Sequence, residues 1–256
     1  MKLHFRKTGT GKPIVILHGL LGSSDNWQTF SKQLASFGYT VYMVDLRNHG
    51  LSPHDKKFNY TVLAADIAEL FEMEHLETAH IMGHSLGGKT AMTFAYTHPE
   101  LVSSLIVIDI APRQYPVQHR NILDALLDVD LKKNKSRKEV EIHLTAALND
   151  PIVIQFLLKN LYWKEKEHLG WRFNLPVINE NIANVGTATL PPSTFENHTL
   201  FVKGERSNYI TYDDEREILE QFANVEIKTA PGAGHWVHAD NAGWLVETVN
   251  AFLSDK

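Results

Sequence analysis

The sequence predicts an α/β domain, a mostly parallel central sheet flanked by helices on both faces with an inserted helical lid. Three observations carry that prediction. Short β-branched apolar runs alternate with stretches of helical periodicity along most of the chain. Between about Ala111 and Pro192 the alternation stops. The pentad Gly83-His84-Ser85-Leu86-Gly87 sets a short apolar run directly against a small-residue helix start.

Each element has its own reason. Ile14-Val15-Ile16-Leu17 reads as a buried strand ending in His18-Gly19, and Val41-Tyr42-Met43-Val44 as a second, ending in Asp45-Leu46-Arg47. Leu63, Ile67, Leu70 and Phe71 fall at i, i+4, i+7 and i+8, one stripe of a helix between Asn59 and His75. Ala79, Ile81 and Met82 form the strand before the pentad, and a helix runs on through Tyr96. Leu105-Ile106-Val107-Ile108 follows, ending in Asp109, and Leu200-Phe201-Val202 and Val225-Glu226-Ile227 come much later, each with a helix after it. The interruption opens with Pro112 and Pro116, closes with Pro191-Pro192, and reads as several short helices. The expected division is a core of residues 1–111 and 193–256 and a lid of residues 112–192 over the carboxyl ends of the strands, where open α/β sheets bind ligands.

Composition narrows the class. A chain of 256 residues, 43% hydrophobic and 21% charged, matches an ordinary soluble globular protein. Its net charge of −5 gives no electrostatic footprint for nucleic acid or an anionic membrane. With no cysteine, disulfides, thiolate metal sites and cysteine nucleophiles are excluded. The start, Met-Lys-Leu-His-Phe-Arg-Lys-Thr-Gly, lacks the apolar core of a signal peptide, and no run approaches the ~20 apolar residues of a membrane span. The expectation is a cytoplasmic protein without membrane insertion.

Gly-x-Ser-x-Gly is the signature of a nucleophile elbow, a tight strand-to-helix turn with an exposed serine Oγ. That makes Ser85 the candidate nucleophile. A serine needs a base, a group to orient the base, and an oxyanion hole. Fourteen histidines make spacing uninformative, so position decides. His235 follows a late strand through the flexible Thr229-Ala230-Pro231-Gly232-Ala233-Gly234 loop and can return to the elbow; His80, His98 and His198 read as core or capping residues. His84 is expected to turn its ring away from the attack face, and His238 to serve as a neighbour's hydrogen-bond partner. The oxyanion donors are expected to be the backbone N–H groups of Leu86 and of Leu20, in His18-Gly19-Leu20-Leu21-Gly22.

Six segments in order carry a family resemblance: His-Gly-Leu-Leu-Gly, Asp-Leu-Arg-Asn-His-Gly-Leu-Ser (45–52), Gly-His-Ser-Leu-Gly-Gly-Lys, Ile-Asp-Ile-Ala-Pro (108–112), Trp-Arg-Phe-Asn (171–174) and Gly-Ala-Gly-His-Trp-Val-His-Ala (232–239). Over nearly its whole length the chain resembles the α/β-hydrolases, and among them the bacterial YbfF-type esterases and the abhydrolase-domain-11 proteins. The resemblance implies a carboxylesterase or thioesterase acting on a small-molecule ester or acyl thioester, acyl-CoA included, without metal or organic cofactor. It also implies Asp109 as the triad acid, with Ser207 as an auxiliary hydrogen-bonding partner; Trp236, next to the base in sequence, is a further auxiliary candidate. Most α/β-hydrolases carry the acid a few residues after the strand at 200–202, where this chain has Gly204-Glu205-Arg206-Ser207, so Glu205, Asp213 and Asp214 stay open as alternatives. Asp45 reads as tying down the Arg47 loop. Leu21 is a candidate substrate-pocket residue, and Trp163, Trp171 and Phe173 of the lid either floor that pocket over an acyl chain or pack the lid on the core.

Other features read as ordinary surface. Glu72-x-x-His75 and Glu165-x-x-His168 copy a di-iron spacing, but both lie among other charges and the sheet pattern leaves no four-helix core. Lys132-Lys133-Asn134-Lys135-Ser136-Arg137-Lys138 reads as a solvated turn balanced by nearby acids, or else as a contact for coenzyme A phosphates or an acidic carrier protein. Two further readings keep the scaffold. A carbon–carbon hydrolase or lyase would need an arginine-rich pocket where the elbow helix offers Lys89, and a hydrolase-like receptor would bind without turnover.

Overall fold

The computed structural model describes residues 1–117, 119–134, 136–165, 168–189 and 194–254. Lys135, Pro191 and Pro192, named above, lie outside the described residues. In chain order the strands are β1 (Phe5–Thr8), β2 (Lys12–Leu17), β3 (Tyr39–Val44), β4 (Ala79–His84), β5 (Val102–Ile108), β6 (Leu161–Glu165), β7 (His168–Trp171), β8 (Thr199–Gly204) and β9 (Val225–Ala230). Seven of them form one sheet in the order β1-β3-β2-β4-β5-β8-β9. Only the β1–β3 pair is antiparallel.

Alternation along each buried strand divides the core in two. Ile14 and Ile16 point to one face and pack with Phe30 and Leu34 of α1 (Gln28–Ser36) and with Leu245 and Val249 of α11 (Ala242–Ser254). Val15 and Leu17 point to the other, among Leu63 and Ile67 of α2 (Tyr60–Glu74) and Met92 and Phe94 of α3 (Leu86–Thr97). Burial on both faces is why these strands read as continuous apolar runs. The predicted helix over 59–75 is α2; Asn59 caps it by accepting from Val62 N at 3.0 Å, and His75 ends it in the left-handed region at φ 53°.

The chain leaves β2 for β3 on one side and then adds β4 on the other, so the strand order reverses at β2. The loops after β2 and β4 diverge there, opening the crevice typical of such switch points. His18-Gly19-Leu20 follows β2 and Ser85 follows β4.

Between β5 and β8 the chain builds α4 (Arg120–Asp128), α5 (Arg137–Ala147), α6 (Pro151–Leu158), the β6–β7 hairpin, α7 (Leu175–Glu180) and α8 (Ile182–Val185). The hairpin corrects the all-helical expectation for this segment. Polar bonds to backbone fix the segment on the sheet. Asn160 Nδ2 donates to Leu21 O at 2.8 Å, Asn174 N to Asn48 O at 2.8 Å, and Tyr60 OH to Val185 O at 2.7 Å. Buried Lys89 ties both ends of the insertion: its Nζ donates to Arg113 O and to Thr187 O, each at 2.6 Å, and to Pro112 O at 3.4 Å. Burial, reinforced by the nearby Arg113 charge, lowers the Lys89 pKa to about 7. The last helices are α9 (Tyr212–Gln221) after β8, then α10 (Val237–Asp240) and α11 after β9.

Candidate active site

Ser85 stands between β4 and α3 at φ 52° and ψ −114°, a strained conformation for a residue with a Cβ. Crowding enforces it. A Cβ on Gly83 would lie 2.1 Å from Gly87 O, and one on Gly87 would lie 2.2 Å from Leu17 O. Only glycine lets the helix start so close to the strands beneath it. Ser85 N donates to Ile108 O at 3.1 Å, which holds the turn against β5.

At the tip of β5, Asp109 is fully buried with φ 51°. Its carboxylate accepts three hydrogen bonds: from Gly204 N at 2.9 Å, from the Ser207 hydroxyl, and from His235 Nδ1 at 2.7 Å. The alternative acids lie elsewhere. Glu205 accepts from Gly232 N at 2.6 Å in the exposed loop, Asp214 caps α9 through Thr211 and pairs with Arg113, and Asp213 sits in the exposed first turn of α9. His235 itself arrives on the loop after β9. Its ring stacks on Tyr209 with centroids 3.8 Å apart and planes 18° apart.

Two buried histidines shape the loop that carries Leu20. His18 Nε2 accepts from Leu46 N at 3.0 Å while its Nδ1 lies 2.8 Å from Gly19 O. His49 Nε2 accepts from Leu21 N at 3.1 Å while its Nδ1 lies 2.9 Å from Arg47 O. The same tautomer, Nδ1–H, satisfies both sets, and both rings must be neutral to accept at Nε2. Burial depresses both, His49 to about 3, with the neighbouring His18 adding to the shift. Asp45 knots the surrounding loops, accepting from Ser24 N at 2.6 Å and Leu51 N at 2.9 Å. Arg47 is held instead by Asp66, through Nε at 2.6 Å and Nη2 at 2.7 Å.

Ser85, His235, Leu20, Leu21 and Trp236 line one cavity of about 340 Å³. Cap residues that the sequence did not single out close it, chiefly Ile122, Val153 and Phe156, and Tyr209 and His119 complete the wall. Phe156 packs on Trp236 at 4.8 Å, so cap and core meet at an aromatic contact beside the histidine. Ser85 and Leu86 also line a second, smaller cavity of about 30 Å³.

The structure corrects several expectations. Trp163 is 57% exposed on β6, and Trp171 and Phe173 stack on each other at 5.3 Å and line a separate groove with Leu126 and Pro176, so none of the three lines the cavity that holds Ser85. The hairpin, which periodicity did not reveal, carries Trp163 out to the surface. The ring of His84 is not turned away: it lines the main cavity and its Nε2 bonds the carbonyl of His235 at 2.8 Å. His238 stacks on Trp27 at 4.5 Å, and among the described residues its buried Nδ1 has no hydrogen-bond partner, so that nitrogen orients no neighbour. Burial and the nearby His235 lower both His119 and His238 to about 4. Tyr209 is pushed up to about 12 by burial and by the Asp109 charge.

The surface readings are also located. His75 terminates α2, and Glu165 and His168 face each other across the β6–β7 hairpin instead of sharing a helix face. Lys133 is 86% exposed and pairs with Asp130 at 3.6 Å.

Comparison with known proteins agrees with this geometry. The pattern of the alpha/beta hydrolase fold family matches residues 12–138. The chain is 33% identical to "Esterase YbfF" of Escherichia coli, over 100% of both chains. It is 35% identical to "sn-1-specific diacylglycerol lipase ABHD11" of Danio rerio, over 97% of this chain and 80% of that one. Among solved structures, "Marine microorganism esterase" superposes with a TM-score of 0.95 at 40% identity, covering 98% of this chain and 99% of that chain. With a seven-stranded sheet, a serine elbow and full-length relatives that are esterases and lipases, the chain belongs to the α/β-hydrolase superfamily.

Proposed function

We propose that the protein is a serine carboxylesterase or thioesterase that works through an acyl-enzyme on Ser85, with residues 112–192 acting as its cap. One observation carries the reading: the buried Asp109 carboxylate joins Ser207 and His235 in one hydrogen-bonded cluster, and His235 shares a cavity with Ser85. With Nδ1–H donated to Asp109, His235 presents Nε2 as a lone-pair acceptor, the form a general base needs.

His235 takes the Ser85 proton as Oγ attacks the acyl carbonyl. The Leu20 and Leu86 N–H groups bind the developing oxyanion, each worth on the order of 10²–10³ in turnover. Asp109 fixes the ring and stabilises the imidazolium, and Ser207 holds one carboxylate oxygen in position. His235 then gives its proton to the departing oxygen or sulfur, and a water that it activates hydrolyses the acyl-enzyme. The side chains of Leu20, Leu21 and Trp236 line the substrate cavity. Among the described residues the wall of that cavity carries Asp150 and Asp240 but no Lys or Arg, which favours an uncharged ester portion over the polyanionic substrates of the carbon–carbon hydrolases.

The test is hydrolysis of p-nitrophenyl esters and acyl-CoAs by wild type beside Ser85→Ala. Turnover that Ser85→Ala reduces at least ~10³-fold supports the reading. Tight binding of such ligands without turnover would replace it with a receptor role.

A further inference from the structure

Ser85 borders two cavities that differ about tenfold in volume and that share His119 and Tyr209 in their walls. The 340 Å³ cavity includes His235 and Trp236 in its wall. The 30 Å³ cavity includes Leu86, Ile110, Ile182 and Val185 but not His235. In acyl transfer the imidazolium must deliver its proton to the leaving atom, so the leaving group has to lie on the side of His235. That leaves the cavity without His235 for the acyl substituent, where the space is on the order of two water-sized groups.

The larger cavity also continues outward. Asn26, Ile152, Phe156, Trp236 and His238 line both it and an adjoining surface groove of about 500 Å³ that reaches Lys159. The Phe156–Trp236 contact stands where the two meet. Buried Lys89, itself committed to three backbone carbonyls, forms part of the wall of the small cavity.

We infer that this site cleaves esters and thioesters of small acids, acetyl or propionyl in size, from large and mostly apolar leaving groups that run past Phe156 and Trp236 into the outer groove. The inference rests on the serine mechanism proposed above. Oγ of Ser85 bonds the acyl carbon as the bond to the leaving oxygen or sulfur breaks. The proton lost by Ser85 passes through His235 to that leaving atom. Water then releases the small carboxylate and restores Ser85.

Two substrate series on the intact protein test it. Along p-nitrophenyl acetate, butyrate and octanoate, kcat/KM should fall at least ~10-fold by butyrate and further by octanoate, because each surplus methylene must be forced into a filled space. Along ethyl, butyl and hexyl acetates it should rise. Val185→Ala, which widens the small cavity away from the proposed triad, should raise the butyrate-to-acetate ratio at least ~5-fold, and Phe156→Ala should flatten the alcohol series while keeping the butyrate-to-acetate ratio of wild type. Rising rates along the acyl series with a flat alcohol series would overturn the assignment of the two cavities while leaving the serine mechanism intact. Absence of Ser85-dependent turnover on every ester would remove the mechanism, and this inference with it.

Discussion

Asp109→Asn is the sharpest test of the proposed site, because the three bonds on Asp109 set its outcome. The carboxylate accepts from Gly204 N, Ser207 and His235 Nδ1. An asparagine of the same shape keeps one acceptor oxygen, which the rigid Gly204 N–H at 2.9 Å can retain, and turns an NH₂ toward His235. Two donors then face each other across 2.7 Å, an arrangement that costs roughly 1–3 kcal/mol if the ring does not respond. The ring relieves this by moving its proton to Nε2, so that Nδ1 accepts from the amide. In that tautomer His235 cannot take the Ser85 proton. The expected loss is on the order of 10⁴ in kcat, or about 5.5 kcal/mol of barrier, the size seen when this change is made in a serine protease triad. The assay is kcat for p-nitrophenyl acetate, paired with ¹⁵N NMR of the histidine tautomer and a thermal melt to confirm folding. A folded variant that keeps activity within about tenfold of wild type would refute the assignment, and an equal loss in Glu205→Gln would move the acid there.

Four further outcomes follow from the same structure. Ser207→Ala removes one of the three donors to Asp109, and kcat should fall about 3–30-fold with KM unchanged, in steady-state kinetics on the same ester. Gly87→Ala sets a Cβ 2.2 Å from Leu17 O, so it should yield either insoluble protein or a fold lacking turnover, as read by circular dichroism and ester hydrolysis together. Arg47→Met leaves buried Asp66 without its bidentate partner and should cost about 3–5 kcal/mol in urea titrations. His49 has a folded pKa of about 3 against an unfolded value near 6.5, so the unfolded chain binds the extra proton between those values; His49 should therefore contribute a loss of about 1.4 kcal/mol per pH unit as pH falls from 6.5 toward 3, and none above 6.5, with His49→Gln showing a shallower slope in the same titrations.

Legibility in the sequence followed burial and local chemistry. The central strands were readable because helices cover both faces, making Ile14–Leu17 and Leu105–Ile108 unbroken apolar runs. Strand β1 was not, since it is a half-exposed edge strand of mixed polarity, Phe-Arg-Lys-Thr. The β6–β7 hairpin was missed for a related reason: Leu161–Glu165 is largely exposed, and its aromatics suggest a floor for the substrate that the fold does not build. Ser85 and its glycines announce a backbone constraint that few other turns require. The residues that close the cavity from the cap, Ile122, Val153 and Phe156, carry no such mark, because α4 is an ordinary amphipathic helix, α6 is apolar almost all round, and the orientation of both over the sheet is a tertiary property. Tyr209 had a faint signal, an aromatic two residues after Ser207, but its stacking on His235 depends on two loops meeting.

Lys89 sits one helical turn after Ser85, and both ends of the cap insertion converge on its ammonium group. This makes the cap less of an exchangeable cassette than its place between two sheet strands suggests. A cap transplanted from a relative would have to offer carbonyl oxygens at the positions of Arg113 and Thr187, or strand a cation in an apolar pocket directly behind the nucleophile. Recombination that respects the borders of the insertion but ignores this residue would deliver folded chimeras with a misplaced elbow helix. Swaps that carry residue 89 along with the cap, or replace it with methionine, would escape that defect.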